Sequence, residues 1–216
     1  MNYDYYQLDF IGDILAADAE LVGEYRFPKL QAQQNIPTGE PLPINYITSS
    51  SSIETTWFHH FTTDSAFEKE WKNFDKYVPL ITKSAGIITT DFSLYRDYDE
   101  DMQIINCRRN RVMAYAMQKL NPNTIPTAGF GGESTWSWCF DGLPENSTVA
   151  ITTNGVLSDP EARRLFIGGV DSLVTSIHPF AIVVCGNYPD WLNNKYPSVK
   201  IIHIPSFGQM WNRRCA

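Results

Sequence analysis

Asp91 and Glu133 are the carboxylates whose settings suggest acid and base work. Asp91 ends the cluster Thr89-Thr90-Asp91, and Glu133 closes the glycine-rich run Ala128-Gly129-Phe130-Gly131-Gly132-Glu133. Paired across a cleft, one carboxyl would protonate a leaving group while the other acted as base or nucleophile, the chemistry of a hydrolase or lyase. The same segments also carry the parts of a binding site. Arg96 and Arg109 would meet negative charge, and Gly131 and Gly132 would donate backbone N–H groups. Trp136 and Tyr188 would stack on a flat ring, with Ser93, Asn154, Asn187 and Ser206 completing the polar contacts. The glycine run matches neither G-x-G-x-x-G nor G-x-x-x-x-G-K-[ST], so it names no cofactor, and none is expected.

Metal chemistry has little support. His59 and His60 are adjacent on a strand and so point to opposite faces, while His178 and His203 lie far away in the chain. Cys107, Cys139, Cys185 and Cys215 never form C-x-x-C, which leaves reduced, buried thiols as the expectation and no metal site.

The elements that must position these residues follow from pattern. Five apolar segments end in small polar clusters: Thr89-Thr90-Asp91, Thr127-Ala128-Gly129, Thr152-Thr153-Asn154-Gly155, Cys185-Gly186-Asn187 and Pro205-Ser206-Phe207-Gly208. Loops beyond the carboxyl ends of parallel strands converge on ligands, so these clusters mark one functional edge. Strands are expected at 55–61, 86–90, 124–127, 147–152, 180–184 and 199–204. Ser65-Ala66-Phe67-Glu68 reads as a capping box opening a helix whose buried stripe is Phe67, Trp71, Phe74, Val78 and Ile81, with Pro79 kinking or ending it. A long helix covers 100–120, a short one 134–140, and Ser158-Asp159-Pro160-Glu161 opens another. On the long helix, Ile105, Val112, Ala116 and Leu120 mark a stripe that turns Arg109 inward, towards Asp91 or Asp97 as structural partners or towards a ligand, and turns Arg111 outward into solvent.

Six strands alternating with helices predict an α/β fold: a single domain over 53–216 with a mainly parallel sheet, either an incomplete β/α barrel or a doubly wound sheet. Residues 1–52 differ, with prolines at 28, 37, 41 and 43 and the serine run 49–52. They read as an N-terminal arm, carrying one helix over 11–20, that folds across the domain or a neighbouring copy and is the route to a homo-oligomer.

Charge and hydropathy exclude some classes. A net charge of -7 opposes the phosphate attraction that nucleic-acid binders depend on. No apolar run approaches the ~20 residues that span a bilayer, and the first residues lack a secretory leader, so a cytoplasmic protein is expected.

Taken in order, Thr90-Asp91-Phe92-Ser93-Leu94-Tyr95-Arg96-Asp97, Arg109-Asn110-Arg111, Ile125-Pro126-Thr127, Cys139-Phe140-Asp141-Gly142-Leu143-Pro144 and Ser147-Thr148-Val149-Ala150 resemble the family catalogued as domain of unknown function 4417. The resemblance runs from about Trp57 to about Ile204 and implies a home in bacteriophages, prophages and mobile elements. It implies no particular chemistry. In that setting the residues favour a binder of a small anionic, nucleotide-like ligand, one that sequesters a host antiviral signal. Two alternatives stand: a hydrolase or lyase acting on such a nucleotide through Asp91 and Glu133, and a module that docks onto another protein.

Overall fold

A computed structural model describes residues 12 and 14–210 of the chain. The helix expected over 11–20 falls partly outside these residues, as does Cys215. The first described elements are two short antiparallel strands, β1 (Leu21–Val22) and β2 (Phe27–Pro28). Seven parallel strands follow: β3 (Leu42–Pro43), β4 (Trp57–His59), β5 (Gly86–Ile88), β6 (Thr124–Ile125), β7 (Thr148–Thr152), β8 (Ala181–Cys185) and β9 (Lys200–Ile204). They form two sheets, β3-β4-β5-β6 and β7-β8-β9. The parallel bridge Thr127↔Ala150 joins them, with Ala128 N–H donating to the Ala150 carbonyl at 2.8 Å and Ala150 N–H to the Pro126 carbonyl at 2.9 Å.

Across both sheets the spatial order is the chain order. A doubly wound sheet requires a point where that order reverses, so of the two expected forms this is the incomplete barrel, sequentially wound and not closed. The edges β3 and β9 are not paired by hydrogen bonds, but the rings of Tyr46 and Phe207, just beyond them, lie 5.5 Å apart. The sheet is therefore curled. Its inner face carries Trp57, Ile88, Ile125, Ala150, Val183, Cys185 and Ile204, which pack on one another as a core. Gly86 belongs to that face because the Trp57 indole lies over it; a Cβ there would come within 2.5 Å of the ring.

Helices cover the other face. Phe58 and Ile87 pack on α1 (Asp64–Lys72), α2 (Phe74–Lys83) and part of α3 (Glu100–Leu120). Val149, Ile151, Ile182 and Val184 pack on α4 (Pro160–Ile177), and α5 (Trp191–Lys195) adds Leu192. α4 starts as its sequence dictates: Pro160 is its first residue and the Asp159 carboxylate accepts from Ala162 N–H at 2.6 Å.

Some expectations change. The helix stripe over 65–81 is two helices broken at Asn73, and Pro79 sits inside the second. Ser65 is not a cap: α1 begins at Asp64 after Thr63, and no side chain caps it. The expected helix over 134–140 is a single 3-10 turn at Glu133–Thr135 followed by turns. The arm is tied to the domain. β3 is an edge strand, where Pro43 loses no ladder bond, and Phe27 and Leu30 are buried in the main core. Leu30 N–H donates to the Gly142 carbonyl, and Thr148 N–H donates to the Gln33 carbonyl at 2.8 Å.

Candidate functional site

The loop after β5 is built by side chains that hold its backbone. Asn110 of α3 accepts from Phe92 N–H at 2.8 Å and donates to the Phe92 carbonyl at 3.0 Å. Asn106 donates to the Ser93 carbonyl, and Gln103 donates to the carbonyls of Tyr95 and Tyr98. From α1, the Asp64 carboxylate accepts from both the backbone N–H and the hydroxyl of Ser93, each at 3.1 Å. Four polar side chains thus fix residues 92–98. Each satisfies backbone groups that a loop over a sheet edge would otherwise leave unpaired.

This loop, the one after β6 and the one after β7 surround a cavity of about 650 Å³ at the carboxyl ends of the strands. Asp91 and Thr152 line it near the sheet, with Leu94, Ile151, Val156 and Phe130 as apolar surface. The first turns of α4 close one side through Ala162, Leu165 and Phe166, and Tyr95, Arg96 and Asp97 also line it. Tyr95 is 52% exposed, which places it at the rim. The volume falls within the range of small-molecule sites, roughly 300–1,000 Å³.

Asp91 is the chemically unusual residue here. Among the described residues its carboxyl has no hydrogen-bond partner, and burial pushes its pKa up to about 7, with Asp64 raising it further and His60 opposing. An ordinary aspartate ionises near 3.9. Gly129 faces it: a Cβ there would lie 3.3 Å from Asp91 Oδ1, so the glycine keeps that oxygen open. Beside it, His60 is fully buried, with Nε2 2.9 Å from Glu70 Oε2 and Nδ1 2.7 Å from the Ile88 carbonyl. His59 is also buried and accepts from Phe61 N–H on Nδ1, so its hydrogen is on Nε2, which has no partner. Burial and the neighbouring His60 bring its pKa down to about 3, so it stays neutral.

Of the residues expected to bind, Asp91, Ser93, Arg96, Gly131 and Asn154 line this one cavity. The others stand elsewhere. Arg109 is held by Glu68 of α1 and lies over the rings of Phe92 and Trp71, so its partner is neither aspartate expected. Arg111, expected in solvent, is 1% exposed and donates to the carbonyls of Asp141 at 2.9 Å, Thr127 at 3.3 Å and Cys139. Gly132 precedes the 3-10 turn, and Glu133 within it pairs with Arg164 at 2.7 Å outside the cavity lining. Asp91 and Glu133 are therefore not assembled as a pair. Trp136 packs where Gly168 of α4 leaves room for its ring. Asn187 and Ser206 share Gln209 as a partner, and Tyr188 lies 5.3 Å from the His203 ring, forming a separate cluster beyond β8 and β9.

Sequence reasoning missed the α4 wall. Ala162, Leu165 and Phe166 fall on one helix face, which reads as ordinary core; the placing of the first turns of α4 beside the strand-end loops makes them cavity lining. Among the described residues no group of three or more His, Cys, Asp or Glu side chains could hold a metal ion, and no helix is long and apolar enough to cross a membrane.

An all-parallel, sequentially wound α/β sheet with a cavity at its carboxyl edge defines the class. The chain belongs to the family described as Domain of unknown function (DUF4417), whose pattern matches residues 19–204 and so takes in most of the arm. It is 32% identical over 158 residues to the Gene 1 protein of Mycobacterium phage D29, covering 72% of this chain and 56% of that protein. It is also 29% identical over 156 residues to the Gene 1 protein of Mycobacterium phage L5, covering 72% and 66%. The chain thus spans a little over half to about two thirds of the curated relatives' length. No solved structure matches it.

Proposed function

We propose that this chain binds a small nucleotide-like molecule in the cavity above β5, β6 and β7, and that it acts by holding the molecule. The observation that carries this reading is Asp91: a fixed carboxyl group without a partner, at an apolar-walled cavity whose other loop-holding side chains are already engaged. Natural proteins rarely leave a desolvated polar group unsatisfied unless a ligand or water completes it. A flat ring suits the apolar surface of Leu94, Ile151 and Phe130, and Arg96 supplies the positive charge for an anionic end. The phage relatives supply the setting, a host cytoplasm in which sequestering a nucleotide signal of antiviral defence would serve the virus.

The test is native mass spectrometry of the full chain purified from phage-infected cells, followed by heat release and analysis of the small-molecule fraction. A retained nucleotide returned intact supports sequestration; a cleaved product would replace it with an enzymatic reading. Protein that carries no small molecule and takes up none from a nucleotide panel would overturn the proposal.

A further inference from the structure

We infer that the ligand enters with a pair of N–H donors against Asp91 and its anionic end at the mouth beside Arg96, the polarity of a guanine nucleotide. This rests on the nucleotide-binding reading above and adds which base is read and which way it lies.

The first ground is the state of the polar groups around the floor. Ser93, Asn106, Asn110 and Gln103 are all committed to holding the loop, and Asp64 is committed to Ser93. Of the two carboxylates in the lining, Asp97 is exposed, and Asp91 is the one set against the sheet with open acceptor sites. An ionised carboxylate accepts and does not donate, and its two oxygens match two parallel donors. Guanine presents such a pair, a ring N–H beside an exocyclic amine. Adenine and cytosine present one donor next to an acceptor, and that acceptor would face a carboxylate lone pair.

The second ground is charge. Asp91 lies close enough to Asp64 to feel its field, so the floor, once Asp91 is ionised, repels a phosphate. Arg109 lies over the Phe92 ring and is occupied by Glu68. Among the cavity-lining residues the guanidinium is that of Arg96. It is tied to Asp159 by one long contact of 3.4 Å between half-exposed groups, and a pair of that kind is readily exchanged for a stronger anion. Base inward and phosphate outward is the arrangement these charges allow.

The experiment is calorimetric titration of the full chain at pH 8 with GMP, IMP, AMP and guanosine, repeated on Asp91→Asn and Arg96→Ala, with circular dichroism to confirm folding. GMP should bind about tenfold or more tightly than IMP, which lacks the exocyclic amine, and more tightly still than AMP. Asp91→Asn should erase that ranking, and Arg96→Ala should weaken GMP while leaving guanosine unchanged. Equal affinities for the three bases in the wild type, or a GMP preference that survives in Asp91→Asn, would overturn this inference while leaving nucleotide binding in place. Equal losses of GMP and guanosine in Arg96→Ala would overturn the orientation. If none of the four binds, the nucleotide reading falls and this inference with it.

Discussion

Single side chains decide much here, one of them in the cavity and one beneath its loops, and both should show in stability. Asp91 in the folded chain titrates near 7, pushed there first by burial and then by Asp64 on α1, with His60 after β4 pulling the other way and Cys185 of β8 within its field. The unfolded carboxyl ionises near 3.9, so between these values the folded state keeps a proton that the unfolded state has lost. Stability should therefore fall as pH rises from about 4 to about 7 and level off above. Asp91→Asn should remove that slope, leaving stability near pH 4 little changed. By pH 8 it should add roughly 1–2 kcal/mol, discounted for solvent in the cavity, or roughly 2–8 °C in Tm by calorimetry. An unchanged pH profile would deny the carboxyl its burial. Arg111 is the opposite case, since its guanidinium satisfies three carbonyls from the turns after β6 and around Cys139. Arg111→Lys cannot reproduce that planar fork and should cost about 3 kcal/mol in chemical denaturation, with cavity binding following only through the fold.

At the scale of elements, α3 shows why the sequence was legible in outline and misleading in detail. Its extent over 100–120 was readable, but the choice between Arg109 and Arg111 was not, because the helix buries Gln103, Asn106, Asn110 and Arg111 to grip loop backbone. Apolar periodicity cannot locate a buried face that is polar, and Ile105, which set the inferred phase, is exposed. The strands and their carboxyl-end clusters were legible because continuous apolar runs over β7 and β8 require cover on both faces. Asp91, Gly131 and Asn154, which follow three of those strands, line one cavity. Asn187, Tyr188 and Ser206 share the edge, but the curl of the sheet gives them a cluster of their own. α4 supports a sharper prediction. A Cβ at Gly169 would sit 2.3 Å from the Phe130 ring, and one at Gly168 2.3 Å from Trp136. Alanine normally favours a helix interior by ~1 kcal/mol over glycine, yet here both Gly→Ala changes should destabilise by about 1–3 kcal/mol through overpacking. Gly169→Ala should also weaken ligand binding, since Phe130 is cavity wall, whereas Gly168→Ala should leave affinity unaltered; equal effects on binding would show that the wall is not formed there.

For the whole molecule, the two sheets meet at one bridge, Thr127↔Ala150, and at the far side the curl brings Tyr46 against Phe207. Hydrogen exchange should find the amides of β8, central in its sheet and fully buried, among the slowest, and those beside the two-residue edge strand β3 among the fastest. Uniform protection across both would contradict a sheet open at that edge. The bonds from the early segment have a different consequence. Gln33 is anchored by Ser147 and Thr148, and Leu30 by Gly142, more than a hundred residues later. During synthesis on the ribosome, Phe27 and Leu30 must wait, greasy and uncovered, until those distant anchors emerge. A chaperone that grips nascent apolar segments would therefore hold the stretch around Phe27 and Leu30 and release it only after Thr148 has emerged.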